Sequence, residues 1–356
     1  GYIREVDQNI IDRNPAYELG EIIGMTVIEK QYEQILRGTK GVKYIQKDRF
    51  NRDIGTYKGG IFDTLPKRGK DITLTIDATL QAYGEKLFTN KRGGIVAIEP
   101  SSGEILSLVT APNYDPGLLV GRERSENFTK LYYDTIAIPL FDRGLKAEYP
   151  PGSPFKTLTA LIAMQENVVR LDEKIECRGG YYYGKRGRKL GCHEHKSPIN
   201  LQGGIAKSCN TYFCNVYKRV IEKYNTPQKG IDNWKNHLTS FGLGNYLGYD
   251  LPVGSKGKIP SSKTYDAKYP NNNWYATATI SNAIGQGEVL LTPIQMANFT
   301  AAIANRGWWV RPHMIKNIQD HDTIAKKFKH INKTSIDSKY FEPIIDCLLY
   351  TSPSPR

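Results

Sequence analysis

The chain has 356 residues, with 49 Lys and Arg against 36 Asp and Glu, a formal net charge of +13, and 39% hydrophobic residues. That apolar content can build a sizeable core and excludes disorder as a description of the whole, and at ~150 residues per domain the length predicts two domains. The charge predicts attraction to polyanions (nucleic acid, anionic lipid head groups or an acidic wall polymer), while no run reaches the ~18 apolar residues of a membrane span and no signal-peptide pattern occurs.

The chain starts at Gly1 rather than Met, so the sequence reads as a piece of something longer. Helical patterning over Thr26 to Leu36, strand-like Gly41 to Lys47 and a Gly/Pro-rich exit at Gly59 to Gly69 predict a small α+β module over residues 1–70. A strand over Asp71 to Ile76 leads into Asp77, an N-cap for a helix over Ala78 to Phe88. GGIVAIEPSSGEILSLVTAPNYDP predicts a hairpin of Gly94 to Glu99 with Glu104 to Thr110 around the turn Pro100-Ser101-Ser102-Gly103. Helices are predicted over Pro154 to Gln165, Gln202 to Tyr224 and Pro293 to Asn305. The last has Thr292 and Gln295 as a capping box and Gly307 just past its end. Trp308 to Ile318 returns to strand-like text. A hairpin, a long mostly helical insert, then helix and strand again predicts an α+β fold with helices packed on an antiparallel sheet. The last stretch, 347–356 (CLLYTSPSPR), resembles translated adapter and is expected to be non-native.

The chemistry concentrates in EYPPGSPFKTLTALIAMQ. Pro154 at the first helical position places Ser153 at the N-cap, and Lys156 three residues on shares its face, roughly 5–6 Å away at Cβ. The helix that follows is apolar nearly all round, which predicts burial at the domain centre. A lysine at its first turn is then desolvated and close to the positive helix end, and both effects favour a neutral amine able to take a proton from the serine. The Ser153 N–H is placed to meet an oxyanion on an attacked carbonyl. The pattern is short, and Ser255 to Lys258 matches it in a loop where no helix could present it. A second piece, Ser208-Cys209-Asn210, pairs a hydroxyl with an amide two residues apart, suited to relaying a proton and holding a substrate amide. Ser125-Glu126-Asn127 matches it without significance.

EYPPGSPFK, KSCNTYF, the hairpin text and AIGQGEVLLTPIQMANFTAAIANRG together resemble the transpeptidase domain of class B penicillin-binding proteins of the elongation type. The matches are colinear from about Asp71 to Ile318, and GMTVIEKQYEQILRGTKG is similar to the end of that family's non-catalytic pedestal. The resemblance implies the penicillin-binding fold over 71–346, incomplete at its C-terminus and preceded by part of a dimerisation-like pedestal. It implies Ser153 as acylated nucleophile, Lys156 as general base, and Ser208 and Asn210 as the second motif. The implied activity is a peptidoglycan D,D-transpeptidase that cleaves D-Ala-D-Ala of a stem peptide, passes the acyl group to a neighbouring stem and is inhibited by β-lactams. Implied too are the periplasmic face of a bacterial inner membrane and, as partners, a SEDS-type membrane glycosyltransferase and the elongation complex. Gly285, Gln286 and Gly287 match a family loop expected to be structural.

The family's third motif, Lys-Thr-Gly or Lys-Ser-Gly, is absent: Lys156-Thr157, Lys263-Thr264 and Lys333-Thr334 are each followed by another residue. In the family that strand supplies a cation for the substrate carboxylate, the second oxyanion N–H and an inner ladder of the sheet. The expectation is therefore truncation and an inactive or nearly inactive chain. Competing functions are a β-lactamase- or carboxypeptidase-type hydrolase, disfavoured by the pedestal and the lack of a deacylating Glu, and a penicillin sensor or scaffold without turnover. Nucleic acid is not an expected partner, since Lys and Arg are scattered with no arginine-rich arm. Finally, Cys177, Cys192, His195 and Cys209 cluster around the insert and suit a structural, closed zinc site, which some relatives carry near the active site. The alternatives are a Cys177–Cys192 disulfide or unrelated buried thiols.

Overall fold

The computed structural model describes residues 1–184, 187–319 and 326–351. The first part holds β1 (Ile3–Glu5), α1 (Gln8–Arg13), β2 (Ile22–Gly24), α2 (Val27–Gln31), α3 (Glu33–Arg37), β3 (Ile45–Lys47) and β4 (Asp53–Thr56), with β1–β2 and β3–β4 antiparallel. The predicted helix over 26–36 breaks at Tyr32, whose side chain leaves the module to donate a 2.7 Å hydrogen bond to Asp250 Oδ2. Asp250 is buried and also accepts from the N–H groups of Met314 and Ile315, so one carboxylate ties this module to the main body.

The main body continues with β5 (Ile72–Leu74), α4 (Ala78–Leu87), β6 (Gly93–Ile98), β7 (Ile105–Ala111), α5 (Arg124–Tyr133), α6 (Lys156–Gln165), β8 (Gly180–Tyr183), β9 (Arg188–Gly191), α7 (Leu201–Ala206) and α8 (Asn210–Glu222). Then come α9 (Pro227–Ser240), α10 (Ser262–Asp266), α11 (Pro293–Ala304), β10 (Trp308–Val310), β11 (Ile315–Ile318), β12 (Ile331–Lys333) and α12 (Phe341–Thr351). Asp77 caps α4 through Leu80 N–H, and Thr292 and Gln295 form the expected capping box on α11. The β6–β7 hairpin has the expected antiparallel pairing, and β7 alternates buried and half-buried residues, as a strand with one face on a core does. α4 packs on β7 and α11 on β6, so helices flank the hairpin.

Three predicted boundaries are corrected. The helix expected over 202–224 is two helices, because Ser208 takes a left-handed φ of 50° and Cys209 starts α8 as its N-cap. The strand expected over 308–318 divides: β10 pairs with β12, while β11 turns away to pair with β5. Ser153 is not the N-cap of α6 but the first residue of a 3-10 turn, Ser153–Phe155, entered through Gly152 at φ 65°. Within the stretch expected to be non-native, α12 runs through Thr351 and Cys347 is buried, while 352–356 lie outside the described residues.

Candidate active site

α6 is buried from Lys156 to Met164, as its unbroken apolar text requires. It packs against α8, α9 and α12, and its N-terminal end opens on the surface at the exposed Ser153. A carboxylate network closes the other end. Glu166 accepts from Lys223 Nζ at 2.7 Å, Tyr224 Oη at 2.9 Å, Asn233 Nδ2 at 2.9 Å and His237 Nε2 at 2.8 Å. Burial pushes that carboxyl up, but these partners outweigh it and hold it at about 2.

The turn that carries Ser153 is held from behind by the loop at Gly285. Gly152 N–H donates to Gly285 O at 2.9 Å, and Gly285 has φ 67°; a Cβ there would lie 2.5 Å from Gly152 O and 2.6 Å from Phe155 Cβ. Only glycine fits both the backbone sign and the space. The role of Gly285 is thus structural, as expected, and what it supports is the nucleophile's turn.

Lys156 is 2% exposed. Its Nζ lies 3.2 Å from Ser153 Oγ, 2.7 Å from Ser208 O, 2.8 Å from Ser208 Oγ and 2.6 Å from Asn210 Oδ1. Ser208 Oγ is itself 2.9 Å from Ser153 Oγ. The left-handed backbone at Ser208 turns both its carbonyl and its hydroxyl toward the lysine, a strained geometry of the kind found where function fixes it. All four expected residues therefore meet at one point. Burial pushes the Lys156 amine below its usual range, against the opposing pull of Cys192, Cys209 and Cys214. A neutral amine donates two N–H groups, to Ser208 O and Asn210 Oδ1, and keeps a lone pair for the Ser153 proton. At the start of a helix the first N–H groups have no intrahelical acceptor, which leaves the Ser153 N–H for a developing oxyanion. The other Ser-x-x-Lys match is not helical: Ser255 pairs with Glu148 and Lys258 bridges Leu290 through its backbone.

Sequence reasoning did not reach Gly191, whose carbonyl accepts from Asn210 Nδ2 at 2.8 Å and so joins β9 to the site. Nothing in a lone glycine signals that contact.

The four expected metal-ligating residues also come together. The donor atoms of Cys177, Cys192, His195 and Cys209 all lie within 4.8 Å of one another. Cys192 Sγ is 3.6 Å from both Cys209 Sγ and His195 Nε2. The two 3.6 Å separations match the edges of a tetrahedron around zinc, ~3.5–3.8 Å for bonds of 2.0–2.3 Å, and the wider spread of the set, up to 4.8 Å, would have to close by about 1 Å around an ion. His195 Nδ1 faces Lys196 O at 2.8 Å, which orients Nε2 toward the sulfurs. Burial pushes the Cys192 thiol up, but the N–H groups of Thr211 and Asn210 and the His195 ring outweigh it and bring it to about 7. Cys177 and Cys192 are separate thiols, so the disulfide alternative is not formed. The donor set fits a closed structural ion.

Residues 93–351 match the penicillin binding protein transpeptidase domain, and residues 1–74 the penicillin-binding protein dimerisation domain. Peptidoglycan D,D-transpeptidase MrdA of Acinetobacter baumannii is 32% identical over 89% of this chain and 45% of its own length, and that of Haemophilus influenzae 33% identical over 83% and 44%. The chain spans about half the length of the curated relatives it matches. Among solved structures, Pseudomonas aeruginosa PBP2 in complex with WCK 5153 superposes with a TM-score of 0.79 at 28% identity, covering 98% of this chain and 70% of that one. A complex of PBP2 with MreC from Helicobacter pylori gives 0.80 at 27% identity, covering 98% and 61%. With a mixed helix-and-strand body, the serine and lysine at the mouth of its buried helix and a family match over most of its length, this chain belongs to the penicillin-binding protein transpeptidase family.

Proposed function

We propose that this chain carries the acyl-transfer centre of a peptidoglycan D,D-transpeptidase. The observation that carries this is the buried Lys156 amine within hydrogen-bonding reach of the exposed Ser153 hydroxyl. Lys156 takes the Ser153 proton as Oγ attacks the penultimate D-Ala carbonyl. The C–N bond to the terminal D-Ala breaks, and Ser208, between the lysine and the nucleophile, returns the proton to the leaving amine. Asn210, fixed by Lys156 and Gly191, offers its amide to the substrate backbone. An acceptor amine from a second stem then attacks the acyl-serine, and the serine leaves with its proton restored. β-Lactams enter as mimics of the dipeptide. The relatives' name, peptidoglycan D,D-transpeptidase, and the PBP2–MreC complex support a role in peptidoglycan assembly, and the family resemblance adds a periplasmic location and a SEDS-type glycosyltransferase partner to the proposal.

The sequence contains no Lys-Thr-Gly or Lys-Ser-Gly, the motif to which the family resemblance assigns the substrate-carboxylate cation and the second oxyanion donor, and on that reading the 356-residue chain is inactive or nearly so. The test is a fluorescent penicillin on two proteins: this chain, and this chain joined to the third-motif segment of the A. baumannii relative. The chimera is expected to label at Ser153 and to lose the label in Ser153→Ala, with the 356-residue chain unlabelled. A folded chimera that never labels overturns the reading. Labelling of the shorter chain at the chimera's rate overturns its inactivity.

The thiol–imidazole cluster supports a second element of the same reading, a structural Zn²⁺ held by Cys177, Cys192, His195 and Cys209. Cys209 sits between Ser208 and Asn210, so the ion would brace the second motif without touching substrate. Metal analysis of protein purified without added zinc tests it; a metal-free, fully folded protein contradicts it.

A further inference from the structure

We propose that Cys192 and Cys209 are a thiol-oxidation site, closed to a reversible disulfide by a small organic disulfide, and that closure displaces Asn210 from Lys156. The consequence for catalysis rests on the acyl-transfer reading of Ser153; the bond itself does not. The two sulfurs lie 3.6 Å apart, between residues 17 positions apart in sequence. Closing to the ~2.05 Å of an S–S bond takes ~1.5 Å of movement, and the surroundings decide which side gives. Cys209 is 0% exposed and is the N-cap of α8, which packs on α6 and α9. Cys192 is half-buried just after β9, at the start of a loop in which His193, Glu194, Lys196, Ser197 and Pro198 are all exposed. It is the thiol an oxidant meets first and the one free to move. Cys177 is turned to Thr211 Oγ1 at 3.2 Å, which leaves Cys192 facing Cys209.

Cys192 and its neighbour grip Asn210 from two sides. Gly191 O accepts from Asn210 Nδ2 at 2.8 Å, and Cys192 Sγ accepts from the Asn210 backbone N–H at 3.2 Å. Asn210 Oδ1 in turn accepts from Lys156 Nζ at 2.6 Å. Drawing Cys192 toward Cys209 shifts both contacts together, and with them one acceptor of the Lys156 amine. A displacement of ~1 Å at such a group costs about 100-fold in rate. The step balances with two thiols and one disulfide. Cys192, its proton released to water, attacks one sulfur of the oxidant, and the first small thiolate leaves and is protonated. Cys209, its proton released likewise, attacks the Cys192 sulfur of the mixed disulfide and expels the second small thiol. The protein gives up two electrons and two protons, and the small disulfide is reduced to two thiols. Sulfurs that share a zinc ion stay ~3.8 Å apart, so the bond and the ion exclude one another.

The test treats the 356-residue chain with oxidised glutathione in the presence of a chelator, so that the outcome is separate from the zinc reading. Alkylation, digestion and mass spectrometry are expected to find Cys192 joined to Cys209 in most of the protein, and dithiothreitol to release both. Cys209→Ser should stop at a glutathione adduct on Cys192, and Cys192→Ser should give no crosslink at Cys209. In the ¹⁵N-labelled chain the Asn210 side-chain signal, identified by its loss in Asn210→Ala, should shift on oxidation and return with dithiothreitol. In Cys192→Ser the same treatment should leave it in place. Cys214, 0% exposed in the same helix, reports folding through its resistance to alkylation. Four results overturn the proposal: thiols left unpaired, a bond through Cys177 instead, a crosslink seen only once Cys214 alkylates, or a disulfide that leaves the Asn210 signal unmoved. None of these bears on the acyl-transfer reading, which penicillin labelling of the chimera decides.

Discussion

Gly285→Ala tests how the nucleophile's turn is held in place. The added Cβ would sit 2.5 Å from Gly152 O, 2.6 Å from Phe155 Cβ and 2.8 Å from Gly152 N, and two of those atoms are backbone that cannot rotate away. Alanine at φ 67° costs ~1 kcal/mol, and relief of the overlap by moving a packed backbone adds ~1–2 kcal/mol. The sum, ~2–3 kcal/mol, corresponds to a fall in Tm of roughly 3–4 °C at ~2.1 cal/mol/K of unfolding entropy per residue over 356 residues. Gly287→Ala is the control: its φ is 75°, so the backbone cost is similar, but the nearest atoms are side-chain Ser281 Cβ at 3.1 Å and Asn282 Oδ1 at 3.2 Å, which can give way. Differential scanning calorimetry of both variants should show the larger loss at 285. In the chimera, Gly285→Ala should also slow penicillin labelling more than Gly287→Ala, because it displaces Gly152 next to Ser153. Equal melting of the two variants, or a Gly285→Ala protein as stable as the parent, would refute the reasoning.

Other outcomes follow from the same geometry. The Glu166 carboxyl at about 2 lies below its unfolded value of ~4.3, so its contribution of ~3 kcal/mol is complete above that value and is lost as pH falls toward 2; in Glu166→Gln this part of the acid-unfolding curve should flatten. Glu166→Ala should cost ~3–5 kcal/mol in urea unfolding, because it strands Lys223 and His237 without their carboxylate. Asn210→Ala should reduce penicillin labelling of the chimera by roughly 10- to 100-fold, through loss of its bonds to Lys156 and Gly191, with little change in Tm. Chelation at pH 7.5 should lower the Tm of the chain by several degrees, and Cys192→Ser should abolish that response.

The parts of the site that were legible in sequence are those where local chemistry and burial agree. The apolar text of α6 predicts burial, Pro154 marks its start, and Lys156 one turn on could only be desolvated, so the Ser153–Lys156 pair follows from a dozen residues. The capping box at Thr292 and the cap at Asp77 are local hydrogen bonds and were read correctly for the same reason. The break at Ser208 was not legible. A left-handed serine is locally unfavourable and exists because its carbonyl and hydroxyl are held by Lys156, 52 residues away in sequence. The division of 308–318 likewise depends on tertiary partners, since β10 and β11 are claimed by different strands. Glu166 and Asp250 are long-range networks whose members are scattered from Tyr32 to Ser335, and no spacing rule collects them.

The most direct test of the central claim is the titration of Lys156 itself. In protein labelled with ¹³C at lysine Cε, the resonance that disappears in Lys156→Met should titrate below the usual lysine range, as burial against Ser153, Ser208 and Asn210 requires. A resonance that titrates at or above 10.5 would contradict an uncharged base at Ser153 and, with it, the acyl-transfer reading.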